Sequence, residues 1–243
     1  MTKKNLHKEA ISHPIFEYIS QAAFDLQLET YVIGGFVRDY FLKRNNKQDI
    51  DLVAIGSGIE LARAVAQLLP NKPKVQVFKT YGTAMLRYKD LEVEFVGARK
   101  ESYNENSRNP VVEDGTLEDD QNRRDFTINA LALSLNKADF GNLLDPFNGL
   151  KDLKDQIIRT PLSPDMTYSD DPLRMMRAIR FAAQLNFLIE KKSFEAIARN
   201  AERLDIITRE RIVEELNKIM SSPVPSVGFI LLHKTQLLKR FFT

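Results

Sequence analysis

The feature that most constrains this chain is a change of hydrophobic period part-way along it. Up to about residue 160, short apolar runs with period-2 alternation are interleaved with helical stretches. From Asp171 onward only the 3.6-residue period of amphipathic helices remains. A mixed part followed by an all-helical part predicts an α+β chain of two domains, residues 1–165 and 166–243, and a length of 243 residues suits two modest domains.

In the first part the spacing predicts a helix over Pro14–Leu28, a strand over Tyr31–Ile33 closed by Gly34-Gly35, and a helix over Phe36–Leu42. A strand over Ile50–Ile55 follows, then a helix from Gly58 to Leu69 that Ser57 and Glu60 open as a capping box. Val75–Phe78, Thr83–Tyr88 and Leu91–Val96 predict three more strands, with Lys89-Asp90 as a tight hairpin turn. Ala98–Gly115 is polar, Asn-rich and broken by Pro110, which predicts a mobile loop. Thr127–Leu135 is apolar, and the segment LLDPFNGLKDL is turn-rich. Helices are predicted over Pro172–Leu185, Lys191–Leu204, Arg209–Met220 and Val224–Phe242.

Composition removes several chemistries. The chain has no cysteine, which excludes disulfides, thiolate zinc sites and thiol nucleophiles. Its three histidines, His7, His13 and His233, are too scattered to suggest a His-based metal cluster or a Ser-His-Asp triad. With 43% hydrophobic and 28% charged residues the chain is not of the disordered class. No apolar run approaches the roughly 18 residues of a membrane span, and the N-terminus has no apolar signal region, so a cytoplasmic protein is expected. Residues 171–243 carry 13 Lys and Arg against 8 Asp and Glu, and the preceding residues carry 22 against 25. An acidic first part and a basic second part suit a metal site beside a surface for polyanions, although an imbalance this small also arises by chance.

Gly34-Gly35-Phe36-Val37-Arg38-Asp39, followed by Asp49-Ile50-Asp51-Leu52, is the most informative stretch. Strand alternation puts Asp49 and Asp51 on one face, where they repel each other unless a cation sits between them. Mg²⁺ takes such carboxylate oxygens together with substrate phosphates. A lone Asp-x-Asp more often marks a polar strand entrance. A glycine pair between strand and helix lets the backbone approach a phosphate, and Arg38 in the first turn can reach the same anion. Together these favour a nucleoside-triphosphate site. In Leu91–Val96, Glu92 and Glu94 share a face, and Glu94, deeper in the apolar run, is the preferred third carboxylate of a two-metal scheme. No P-loop is present, and Gly56-Ser57-Gly58 has Leu61 where a dinucleotide fingerprint needs its third glycine, so it is a helix cap.

Arg123-Arg124-Asp125-Phe126 places cations for a phosphate or base and an acceptor for a ribose hydroxyl before an apolar run. In Asp171-Pro172-Leu173-Arg174-Met175-Met176-Arg177, proline at the first helical position makes Asp171 a natural N-cap. Helical spacing also brings Asp171, Arg174 and Arg177 close to one face, and Arg180 extends the basic stripe. An Asp acceptor beside an Arg donor complements cytosine and adenine, each with an exocyclic amine next to a ring-nitrogen acceptor. Uracil and guanine present the reverse.

GGFVRD with DID, RRDFTINAL, DPFNG, DDPLRMMRAIRF and RERIVEEL resemble, in order, the motifs of class II tRNA nucleotidyltransferases, the CCA-adding enzymes, and of the related bacterial poly(A) polymerases. The resemblance runs from about residue 31 to 220. It implies a polymerase-beta-like head whose small mixed sheet bears the catalytic carboxylates, then a helical neck that reads the base. Carried over by motif, Asp49 and Asp51 are the metal ligands of a two-Mg²⁺ site and Glu94 the third carboxylate. Gly34, Gly35 and Arg38 hold the triphosphate, and Arg124 and Asp125 read the ribose. Asp171 and Arg174, with Arg177 and Arg180 beside them, serve as an amino-acid template for CTP and ATP. The implied partner is tRNA; no protein partner is indicated. Asp170 stands where the family usually has Glu. Members continue past the neck into body and tail domains that grip tRNA, and this sequence is expected to lack them, which bears on tRNA binding more than on nucleotide binding. Poly(A) addition, CC-only or A-only addition, and nucleotide binding on RNA without turnover are the alternatives.

Overall fold

The computed structural model describes residues 6–44, 49–102 and 111–242. In chain order its regular elements begin with α1 (Ile15–Asp25), β1 (Thr30–Ile33), α2 (Gly35–Phe41), β2 (Asp49–Ala54) and α3 (Gly58–Leu68). Then come β3 (Gln76–Phe78), β4 (Thr83–Tyr88), β5 (Leu91–Gly97), β6 (Arg99–Ser102) and β7 (Val111–Asp114). These are followed by α4 (Leu117–Asn122), β8 (Ala132–Ser134), β9 (Leu143–Leu144), α5 (Gly149–Asp155) and β10 (Ile157–Ile158). The last part holds α6 (Pro164–Asp170), α7 (Leu173–Leu185), β11 (Leu188–Ile189), α8 (Lys191–Asn200), α9 (Arg209–Met220), α10 (Pro225–Lys234) and α11 (Leu238–Phe241).

The chain divides into two compact units. The first takes in residues up to Lys100, with Val112–Gln121 and Asn129–Leu150. Its centre is a seven-stranded mixed sheet in the order β3-β4-β5-β2-β1-β8-β9. Only β2 and β5 run parallel; every other adjacent pair is antiparallel. Helix α3 lies on β2, β4 and β5, and α1 packs beside α3. Ile50, Leu52, Val93 and Phe95 are fully buried, as are Phe16 and Ile19 of α1 and Leu61 and Val65 of α3. The approach of α3 to the sheet is close: a Cβ on Gly58 would lie 2.8–2.9 Å from the backbone of Phe95 and Val96. Ser57 caps α3 as its sequence predicts, its Oγ accepting from the Glu60 N–H at 3.2 Å. The β4–β5 hairpin turns at Lys89, whose φ of 58° is left-handed.

The second unit includes Asn122–Ile128 and everything from Lys151 on. Helix α7 packs against α9 and α10, and α6 against α8. The boundary at 165/166 drawn from sequence and this contact-based division are different partitions, because residues 122–128 and 151–165 sit with the helices.

Four expectations are corrected. Strands do not cease at residue 171: β11 pairs in parallel with β10, too short a ladder to leave a periodic signal. Ala98–Gly115 is not simply loop, because β6 and β7 form a two-stranded sheet at its ends; residues 103–110, including Pro110, lie outside the described residues. The helix expected over Val224–Phe242 breaks after Lys234, where Thr235 bonds back to the Leu231 carbonyl at 2.8 Å and Gln236 takes a left-handed φ of 64°. The helix expected over Lys191–Leu204 tightens after Asn200 into a 3-10 turn. Among the described residues no helix is long and apolar enough to cross a membrane.

Candidate active site

In the first unit, the parallel register of β2 and β5 sets Asp49 opposite Glu92 and Asp51 opposite Glu94. Paired residues on adjacent strands share a face, so all four carboxylates project from the side of the sheet away from α3. Their charges are met differently. Arg87, the β4 residue opposite Glu92, takes that carboxylate with two hydrogen bonds of 3.0 and 2.9 Å. Glu94 is held above the ordinary carboxylate range, first by desolvation and then by the negative charge of Asp51; a Thr83 hydrogen bond and Arg99 act in the opposite sense. Sequence reading placed Glu94 deep in the apolar run; the residue keeps solvent exposure on the face α3 does not cover, yet desolvation still leads the causes that hold its proton. What separates it from Glu92 is its position against Asp51.

At the end of β1, Gly34 adopts φ 84° and ψ −134°, a conformation that excludes a side chain, and its N–H bonds the Leu131 carbonyl at 3.2 Å. Gly35 opens α2. A Cβ there would meet only Arg38 Nη2, at 3.7 Å, so the glycine and the arginine adjoin. Arg38 is 9% exposed, with Nε on Asp39 at 2.8 Å and Nη1 on Asn129 Oδ1 at 2.9 Å. It is a fixed cation rather than a reaching one. Asn129, the anchor of that geometry, was not singled out in the sequence, although it stands within the RRDFTINAL motif.

In the second unit a separate cavity of about 250 Å³ is lined by Arg123, Arg124, Asp125, Asp171, Leu173, Arg174, Arg177 and Arg211. Asp171 Oδ1 accepts from the Leu173 N–H at 3.2 Å, so the capping role read from the sequence is present, while Oδ2 lies 3.7 Å from Arg211. Arg174 is buried and donates to the Arg123 carbonyl at 2.7 Å and more weakly to that of Thr167 at 3.5 Å. Arg177 grips Asp125 Oδ2 through Nε at 2.8 Å and Nη2 at 2.5 Å, and that carboxylate raises the arginine's proton affinity. The other Asp125 oxygen accepts from the Phe126 N–H at 2.8 Å.

Arg180 does not line this cavity. It pairs with the buried Glu215 at 2.7 Å and lies over the Phe181 ring, 4.2 Å from its centroid, a ring it shares with Arg177, so it is not part of a solvated stripe. Of the lining residues, Arg123, Leu173 and Arg211 were not among the candidate site residues, and Arg211 comes from the most distant part of the sequence. Its motif, RERIVEEL, was visible, but nothing in the spacing connects it to Asp171, forty positions earlier.

Residues 30–159, just over half of the chain, match the family model described as the poly A polymerase head domain. The chain belongs to that family, the class II tRNA nucleotidyltransferases and bacterial poly(A) polymerases. Residues 186–243 match a second model, described as the probable RNA and SrmB-binding site of polymerase A. The chain is 41% identical over 192 residues to the A-adding tRNA nucleotidyltransferase of Aquifex aeolicus, a match covering 78% of this chain and 23% of that protein. It is 36% identical over 226 residues to the CCA-adding enzyme of Lactobacillus helveticus, covering 92% and 53%. A solved structure of the Thermotoga maritima CCA-adding enzyme complexed with tRNA-CCA superposes with a TM-score of 0.85 at 31% identity, covering 98% of this chain and 56% of that one. The chain thus spans about half the length of these CCA-adding relatives.

Nucleotidyltransferases of this family generally use a divalent metal. The residues present fit a hard cation on one observation: the register sets the carboxylates of Asp51 and Glu94 opposite each other on adjacent strands, an all-oxygen donor pair of like charge. Among the described residues, no three His, Cys, Asp or Glu side chains already converge closely enough to hold a metal ion, so Asp49 would have to close in on the pair.

Proposed function

We propose that this chain transfers nucleotides from CTP and ATP to the 3′ end of tRNA without a nucleic-acid template, building the CCA terminus with Mg²⁺. The observation that carries the reading is the β2–β5 register, which supports Asp49, Asp51 and Glu94 as an acidic set beside the Gly35–Arg38 element. The functional division we adopt is a catalytic head over residues 1–165 and a base-reading neck over 166–243.

The RNA 3′-hydroxyl attacks the α-phosphorus of the nucleotide and pyrophosphate leaves. Two Mg²⁺ ions held by Asp49 and Asp51 would supply Lewis acidity toward the attacking and leaving oxygens. Glu94 assists on the side of the attacking hydroxyl. Arg38, fixed by Asp39 and Asn129, presents a cation that needs little reorganisation toward the leaving phosphates. Arg124 and Asp125 bind the ribose, Asp125 as an acceptor whose orientation is set by the Phe126 N–H and the Arg177 guanidinium. Arg174, with five N–H groups of which two contacts occupy part, donates to the ring nitrogen of C or A while Asp171 accepts from the exocyclic amine. Arg177 holds Asp125 in place, and Arg180 steadies α7 through Glu215.

The test is extension of labelled tRNA that ends at its discriminator base, and of the same tRNA ending in CC, with Mg²⁺ and with CTP and ATP supplied separately and together. Addition of CCA is the expected product. Transfer of A alone, onto tRNA already ending in CC, would favour the second reading, to which the similarity to the A-adding enzyme of Aquifex aeolicus points. Binding of both nucleotides without pyrophosphate release would replace transfer by a nucleotide-binding RNA module. Full activity in Asp51→Ala would sink the acidic-set assignment.

A further inference from the structure

We infer that Arg211 is a specificity-determining positioning residue: it fixes the second oxygen of Asp171, so that this carboxylate accepts from an exocyclic amine on the incoming base. The inference rests on the proposed base-reading role of Asp171 and Arg174 and adds a residue from a different helix.

Asp171 precedes α7 in extended backbone, with φ −132° and ψ 97°, and its side chain is 23% exposed. One oxygen is tied by the Leu173 N–H. That single bond leaves rotation of the carboxyl group as a residual freedom, and it is the orientation of the second oxygen that decides whether a base is read. Arg211 is the cation facing that oxygen. The separation of 3.7 Å is too long for a hydrogen bond, and the pair acts through charge. Arg211 acts on Asp171 from a helix other than α7, whereas Arg174 and Arg177 are already committed to the Arg123 carbonyl and to Asp125. The helix that carries Arg211 is itself set in place: four residues on, buried Glu215 pairs with Arg180 of α7. The turn-to-turn spacing of α9 therefore puts an anchor at residue 215 and a tuning cation at 211 on one side of the helix.

The consequence is selective. An Asp171 whose acceptor oxygen is fixed rejects a base that offers a carbonyl there, because two acceptors would face each other. An Asp171 free to turn loses part of that rejection, and the effect falls on choice between bases rather than on phosphate or metal chemistry.

The experiment is calorimetric titration of the whole chain with Mg²⁺ and either ATP or ITP, which differ at C6 by an amine against a carbonyl. The proteins are wild type, Arg211→Met, Arg211→Lys and Asp171→Asn. In Arg211→Met the preference for ATP over ITP is expected to fall by about threefold to tenfold, the worth of one oriented polar contact. Arg211→Lys recovers part of it, and the unfolding midpoint stays within the wild-type range. Unchanged preference in Arg211→Met alongside a lost preference in Asp171→Asn overturns this inference and leaves the base-reading assignment standing. Unchanged preference in both variants overturns the assignment itself. Equal weakening of ATP and ITP in Arg211→Met also overturns the inference, since it marks a general phosphate contact.

Discussion

Replacing Asp51 by Asn separates a metal-site carboxylate from a structural one, because the two make opposite predictions for the metal-free protein. Asp51 and Glu94 are directly opposite on adjacent strands, which are spaced about 4.8 Å apart. At about 5 Å two unit charges repel by about 3 kcal/mol for an effective dielectric constant of 20, and half-exposed groups reduce this to about 1 kcal/mol. Asp51→Asn removes this repulsion while its amide oxygen can still accept the hydrogen bonds of the carboxylate it replaces, so relief of the repulsion alone contributes about 1 kcal/mol to the metal-free fold, or about 2–4 °C in Tm for a chain of this size. The gain has a defined pH dependence. The folded-state proton affinity of Glu94 is raised above its unfolded value of 4.5, so stability is greatest below that pH and is lost as pH rises through the shifted value. The benefit of Asp51→Asn is therefore small near pH 4 and complete near neutrality. Saturating Mg²⁺ at a hundred times its Kd should stabilise the wild type by about 2.7 kcal/mol and the variant by far less. Thermal unfolding at pH 4.0 and 7.5, with and without Mg²⁺, reads all four values. A variant that melts lower than wild type in metal-free buffer and retains the full Mg²⁺ shift refutes the reasoning.

Gly35→Ala has steric room, its Cβ meeting Arg38 Nη2 at an ordinary 3.7 Å; the fold should be unaffected in urea titration while calorimetric affinity for Mg²⁺–ATP falls severalfold. Gly58→Ala is the counter-case, with its Cβ 2.8–2.9 Å from backbone atoms, and should cost about 1–3 kcal/mol in the same titration. Asp125→Asn leaves Arg177 without its carboxylate; the arginine is 34% exposed, so the loss should be about 2 kcal/mol rather than the full cost of breaking a buried pair. Nucleotide affinity should fall with it, which a Ser57→Ala control, losing only a helix cap at about 1 kcal/mol, should leave unchanged.

What the sequence exposed and what it concealed follow from the range of the interactions involved. The glycine pair, the Ser57 cap, the Lys89-Asp90 turn and the period of α7 depend on neighbours within four positions, and each is legible in the chain. The α10–α11 break is also local, but it is made by Gln236 in a left-handed conformation, with no proline or glycine to mark it. The site depends on pairings that no local pattern encodes. Alternation alone makes Glu92 and Glu94 equivalent, since they share a face and flank the same buried Val93. Their roles diverge only when β5 is laid in parallel beside β2, which gives Asp51 to Glu94, and antiparallel beside β4, which gives Arg87 to Glu92. A slip of two residues in the first ladder would preserve every hydrophobic contact class and exchange the two glutamates. The motif resemblance singles out Glu94, and the register adds what depth in the apolar run could not show, that Asp51 stands opposite it. In a mixed sheet the difference between two such carboxylates is set by which neighbouring strand residue each one faces, and that is a property of the assembled sheet rather than of the strand.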